Sequence, residues 1–205
     1  MKHTKCMIIG LTGGIASGKS TVSSILIEKG FRVIDSDKIS REVVDIGEPA
    51  YEELVDYFGE VILNNDGRLN RQKLGDIVFT DEKLLQVLNS ITHPYIFKEL
   101  KEQIYDKCVE FNIIFVDIPL LFERYDEFIT QGIIFDEIWL IYVDKETQLD
   151  RLMLRNNLNK KQAIDGINAQ IPLEKKKEKA TRIINNNGDI EQLNKNVEKL
   201  LQELM

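Results

Sequence analysis

The sequence predicts a doubly wound α/β fold, with a parallel five-stranded sheet and helices on both faces. Short apolar, β-branched runs at 7–11, 31–34, 113–116 and 138–143, with a weaker one at 182–184, alternate with longer helical patterns. The runs are continuous rather than alternating, as expected for strands covered on both faces. A chain of 205 residues is long enough for one full core and for appendages besides.

The first run leads straight into Gly13, Gly14, Ile15, Ala16, Ser17, Gly18, Lys19, Ser20 and Thr21. Together they complete the pattern G-x-x-x-x-G-K-[ST] between a strand and a helix. In that setting the loop's backbone amides wrap a polyphosphate, and the helix adds its positive N-terminal end. Lys19 then reaches the β- and γ-phosphates of ATP, and Ser20 offers its hydroxyl to Mg2+. The plainer alternative is a chance glycine-rich turn. The helix that follows is expected from Lys19 to about residue 29, stopping at Gly30.

The second run ends in Asp35-Ser36-Asp37, at the C-terminal end of a strand expected beside the first, where open α/β sheets bind ligands. Asp37 accepts a proton from an attacking hydroxyl or helps to hold magnesium. Alternatively, Ser36 or Asp37 caps a helix over 39–44. The long stretch to the third run carries helical patterns at 51–58, 71–79, 83–91 and 95–111, with Pro94 opening the last of them. It reads as an all-helical, substrate-holding lobe over 47–111. Arg68, Arg71 and His93 are either phosphate contacts from this lobe or ordinary surface.

The third run ends in Asp117, the placement of a carboxylate that meets magnesium through water; its alternative is an acid at a strand boundary before Pro119. After the fourth run, 148–179 is polar and reads as a lid. Gln148, Arg151 and Arg155 share a helix face, so two guanidiniums either close over the transferred phosphoryl group or lie on a solvated surface. Lys175, Lys176, Lys177 and Lys179 alternate with acids and read as a solvated face. Leu193, Val197, Leu200, Leu201 and Leu204 form one stripe of a C-terminal helix over 190–204. Residues 1–46, 112–147 and 180–205 remain as the nucleotide-binding core.

A net charge of −7 disfavours a nucleic-acid-binding surface. Cys6 and Cys108 offer neither a disulfide framework nor metal-ligand spacing, so a reducing cytoplasm is expected. Lys2 and Lys5 precede an apolar run too short for a signal peptide, and no stretch is long enough to span a membrane. A monomer is expected.

Taken together, these segments resemble the dephospho-coenzyme A kinase family from about residue 8 to 188. The resemblance rests on IGLTGGIASGKS, VIDSDKISREVV, NRQKLGDIVF, ITHPYI, VDIPLLFE, QLDRLMLRN, Gln170 and INNNG, in that order. It implies transfer of the γ-phosphoryl group of ATP to the ribose 3′-hydroxyl of dephospho-coenzyme A, the last step in making coenzyme A. It further implies Asp37 as base, with Lys19 in the phosphate loop and Arg155 with Arg151 in the lid. Arg71, His93, Asp117, Pro119, Leu120, Leu121 and Glu123 would face the acceptor, and Asn186 with Gly188 the adenine. The chain departs from the family's frequent pattern at Ser36, where Ala is common, and at Thr181-Arg182, where Ala-Asp is common before the last strand. Two rival readings are a nucleoside or nucleotide kinase of the same architecture and an ATP-dependent switch protein. A guanine-reading switch is disfavoured, because Asn194-Lys195 continues as Asn196-Val197 rather than completing N-K-x-D.

Overall fold

The computed structural model describes residues 6–204; Lys2 and Lys5 lie outside them. The chain forms two compact units, one built from residues up to Asp35 together with those from Ile104 onward, the other from Ser36–Gln103. The second unit thus begins earlier and ends earlier than the lobe expected over 47–111.

The first unit opens with strand β1 (Met7–Gly13), helix α1 (Lys19–Glu28) and strand β2 (Arg32–Asp35). Helix α1 buries Val22, Ile25 and Leu26. It ends because Gly30, at φ 86°, takes the left-handed conformation, letting its own N–H reach the Ile27 carbonyl and the Phe31 N–H reach that of Leu26.

The second unit holds α2 (Ser36–Glu42), α3 (Pro49–Phe58), a short 3-10 turn (Glu60–Ile62), α4 (Arg71–Val78) and most of α5 (Glu82–Glu110). Pro49 starts α3, where its missing N–H costs nothing. The Asn70 side chain caps α4 by accepting from the Lys73 N–H at 2.9 Å. The expected break at His93-Pro94 does not occur, because α5 is one continuous helix with Pro94 inside it. A proline there removes a backbone bond at a cost of about 3 kcal/mol. Burial outweighs that loss: Phe97 and Leu100 are sequestered, and Thr92 Oγ1 turns back onto the Leu88 carbonyl at 2.9 Å. Ser36 and Asp37 lie within α2 rather than at its cap, with Asp37 in the first turn.

From α5 the chain enters β3 (Ile113–Asp117), followed by α6 (Tyr125–Thr130), β4 (Glu137–Tyr142), α7 (Lys145–Asn156), α8 (Lys160–Asn168), α9 (Leu173–Lys177), β5 (Arg182–Asn185) and α10 (Ile190–Gln202). The five strands make one parallel sheet in the order β2-β3-β1-β4-β5. The expectation that β2 lies beside β1 is therefore corrected, since β3 separates them. The reason lies in side-chain burial. Ile114, Phe115 and Val116 are all fully buried and suit an inner strand, whereas β2 exposes Arg32 and Asp35 and suits an edge. One core packs Ile9, Leu11, Phe115, Trp139, Ile141 and Ile184 of the sheet against α1 and the Leu193, Val197, Leu201 stripe of α10.

The cysteines are also corrected. Pairing of Met7 with Ile113 brings the residue before β1 next to the end of α5, so Cys6 and Cys108 lie 5.3 Å apart at Cα and are joined as a disulfide. Among the described residues, no helix is long and apolar enough to cross a membrane.

At the start of β4, Glu137 receives Arg182 Nε at 2.7 Å, Arg182 Nη2 at 3.1 Å and Trp139 Nε1 at 2.7 Å. Burial alone raises its carboxyl pKa, but the hydrogen bonds from Arg182 and Trp139 outweigh this and hold it below the usual carboxylate range. Its stabilising contribution is therefore complete above the unfolded value of about 4.3 and is lost as pH falls through the lower folded value. Glu137→Gln is expected to lose about 1–3 kcal/mol at pH 7 in urea unfolding, with the gap to the parent closing below about pH 4. A gap that stays constant with pH would refute this role.

Candidate active site

The site is built where β1 turns into α1. The turn closes through a hydrogen bond of 3.1 Å from Ser17 N–H to the Gly14 carbonyl, and Ala16 and Gly18 take left-handed backbone angles of 59° and 91° in φ. Gly14 and Gly18 are needed for the close approach of neighbouring side chains. A Cβ on Gly14 would come within 2.6 Å of Gln148 Nε2, and one on Gly18 would strike Asn186 Nδ2.

Three side chains from distant segments hold the loop. Gln170 Oε1 accepts the Ile15 N–H at 2.8 Å, Gln148 Nε2 donates to the Ile15 carbonyl at 2.9 Å, and Asn186 Nδ2 donates to the Ser17 carbonyl at 2.8 Å. Beneath them, Lys19 Nζ is ion-paired to Asp117 Oδ1, while Ser23 Oγ donates to Asp117 Oδ2 at 2.6 Å. Asp117 is only 4% exposed, so these partners make its charge tolerable there. The strand register sets Asp117 beside Leu11 of β1 on one side and Asp35 of β2 on the other. Ser23 went unremarked in the sequence, although it stands four residues after Lys19 and therefore on the same helix face.

The segment after Asp117 crosses the end of β1. Ile118 N–H donates to the Leu11 carbonyl at 2.9 Å, and Thr12 Oγ1 to the Pro119 carbonyl at 3.3 Å. Leu120 is exposed, but Leu121 is fully buried and packs where a Gly10 side chain would stand, which makes it core rather than acceptor-facing. Glu123 accepts the Ile171 N–H at 3.0 Å and pairs with Lys176 Nζ at 2.7 Å. Lys176 itself is completely buried, so the lysine run is not a uniformly solvated face. Residues 173 and 176 fall on one side of α9 and turn inward together, while Lys175 and Lys179 stay exposed.

Apart from Asn186, the remaining expected residues make no hydrogen bond to the loop among the described contacts. Arg151 is half-buried; Arg155 is exposed and donates through Nε to Asn156 Oδ1 at 2.8 Å. Gly188 is exposed ahead of α10. Asn186 is buried beneath the loop, its amide already committed to Ser17. Within the second unit, Arg71 and His93 line a largely apolar cavity of about 270 Å³, together with Leu74, Phe79 and Leu88. Arg71 Nη2 donates to the Arg41 carbonyl at 3.0 Å. Burial and then the charge of Arg41 lower the Arg71 pKa, against a raising effect from Asp45. Such a cation gains from an anionic ligand. Asp37 stands in the first turn of α2, in that same unit.

Ser20, exposed in the first turn of α1, and Asp117 each carry hard oxygen donors of the kind that suits magnesium completed by water and phosphate oxygens. A strand, an amide-lined turn, a lysine and a buried carboxylate on the adjoining strand are arranged as in a P-loop kinase-like fold.

The chain matches the family described as dephospho-CoA kinase over residues 7–192. It belongs to the dephospho-CoA kinase family. The dephospho-CoA kinase of Carboxydothermus hydrogenoformans is 48% identical over 197 residues, covering 96% of this chain and 93% of that one. Among solved structures, the dephospho-CoA kinase of Campylobacter jejuni superposes with a TM-score of 0.68 at 30% identity, covering 96% of each chain. A Thermus thermophilus protein does so with a TM-score of 0.82 at 33% identity, covering 98% of this chain and 99% of that one. The kinase-family residues of the 117–123 segment are thus divided between the phosphate loop, the core and the Glu123–Lys176 pair.

Removing one member of that pair strands a buried charge. Lys176→Met is expected to destabilise the fold by about 3–5 kcal/mol, and Lys176→Met with Glu123→Gln to recover a substantial part of the loss in denaturant melts. A near-neutral single variant would show the pair to be dispensable.

Proposed function

We propose that this dephospho-CoA kinase family member moves the γ-phosphoryl group of ATP onto the ribose 3′-hydroxyl of dephospho-coenzyme A through the residues assembled at the β1–α1 turn. The observation carrying the reading is the Lys19–Asp117 pair under a glycine-rich turn whose remaining amides are available to phosphate. In that turn Lys19 meets the β- and γ-phosphates, exchanging one anionic partner for another. The backbone amides of Ala16, Gly18, Lys19 and Ser20 bind the phosphate oxygens, in a setting where phosphoryl transfer needs positioning and charge stabilisation more than covalent help.

Mg2+, when bound, would neutralise charge on the transferring phosphates, and Ser20, Asp117 and, as a second acidic candidate, Asp37 would supply the oxygen atoms that hold it. Asp37 orients the acceptor hydroxyl and takes its proton. A carboxylate suffices for this because the transition state is loose and the nucleophile need not be fully ionised beforehand. Arg151 and Arg155 on α7 supply guanidiniums to the transferred group as the 148–179 lid segment closes. Arg71 and His93 hold the acceptor within the helical unit. Gly188 keeps the adenine side of the site open, and Asn186 acts through the loop it supports.

We infer a cytoplasmic monomer with small-molecule partners only, from the family resemblance and not from the cysteines, which are joined. A net charge of −7 supports the exclusion of nucleic acid.

Asp37→Asn preserves shape and removes the base. Steady-state kinetics with both substrates are expected to show kcat lower by about 10²-fold or more, with the KM for ATP within about threefold of the parent. Unchanged kcat would remove Asp37 from the chemistry.

A further inference from the structure

The tip of the phosphate loop is held by two neutral amides that the sequence motif does not contain. Ile15 donates its N–H to Gln170 and accepts Gln148 on its carbonyl, at 2.8 and 2.9 Å. Its partners stand 155 and 133 positions away in the chain, one in α7 and one between α8 and α9. Gln148 is 5% exposed, and its place exists because Gly14 has no side chain: a Cβ there would meet the Gln148 amide at 2.6 Å. The next residue, Ala16, holds a φ of 59° without being glycine. Such a conformation persists only where the surroundings impose it.

The chemistry of the two partners fits this task. Both are uncharged, so they fix a loop that must receive a triphosphate without repelling it or competing for it. Gln170 uses only its oxygen and Gln148 only its nitrogen. Together with Asn186 on the Ser17 carbonyl, they occupy two carbonyls and one N–H at the tip. The amides of Ala16, Gly18, Lys19 and Ser20 meet no protein acceptor among the described residues.

We propose that Gln148 and Gln170 are positioning residues, which clamp the two peptide groups of Ile15 and thereby preset the loop amides for ATP. This rests on the reading of 13–21 as the ATP cradle. The clamp acts from the polar segment between β4 and β5, so the phosphate loop is held from outside its own strand and helix.

The test uses the full chain and two near-isosteric variants, Gln170→Met and Gln148→Met, with Gln170→Glu as the conservative control. Amide hydrogen exchange read by NMR reports the clamp independently of catalysis. In Gln170→Met the Ile15 amide is expected to exchange about tenfold faster or more. Gln170→Glu, which still accepts the bond, restores its protection. Both Met variants are expected to raise the KM for ATP by roughly tenfold and to leave the KM for dephospho-coenzyme A within about twofold. Unchanged Ile15 exchange in Gln170→Met overturns the proposal. So does faster exchange with an unaltered KM for ATP, or an equal rise in both KM values. Failure of the parent protein to bind ATP at all would instead overturn the cradle reading, and calorimetry on the parent alone distinguishes that case.

Discussion

Asp117 is a carboxylate almost wholly removed from water, and the architecture around the phosphate loop is arranged to keep it paired. It lies at the end of β3, which the register places between β2 and β1. Lys19 and Ser23, one helical turn apart on α1, reach it from the helix that follows β1. A buried charge without such partners costs several kcal/mol in practice. That cost ties the start of α1 to the end of β3 and so fixes the geometry of the turn between them. An anionic ligand entering the turn finds Lys19 already positioned, its side chain restrained before binding rather than recruited from solvent.

The loop above that pair is fixed by the same logic. Its glycines are usually explained by the ligand, yet Gly14 and Gly18 here also make room for protein amides, those of Gln148 and Asn186. The turn is consequently a packed object, with a strained residue at Ala16 and two carbonyls and one N–H held by three side chains. Such preorganisation is what electrostatic stabilisation of a transferring phosphoryl group requires, since donors that must first reorient contribute less.

Much of this was legible in the sequence because it depends on local pattern. The five strands are continuous apolar runs, α1 stops at a glycine, and the phosphate loop is a contiguous motif in its strand–loop–helix setting. What escaped depends on partners far along the chain. Nothing near Lys176 distinguishes it from Lys175; only α9 turning inward toward Glu123 does. Pro94 is a fair local signal for a break, overruled by the burial of Phe97 and Leu100. The place of β2 at the edge follows from its exposed Arg32 and Asp35, which adjacency in sequence to β1 obscures. Cys6 and Cys108 meet through a strand register, and Gln170 carries no signal beyond its family context. Leu121 lies in a recognisable kinase segment but is spent on packing against Gly10.

The proposed activity confines this phosphate loop to one acceptor. Its most direct test is ADP release from ATP and magnesium with dephospho-coenzyme A, adenosine, AMP, pantothenate or no acceptor, with the product read by mass. Turnover confined to dephospho-coenzyme A, yielding a single added phosphate on the ribose 3′-hydroxyl, is the predicted result. Turnover without an acceptor, or only with a different one, would contradict it.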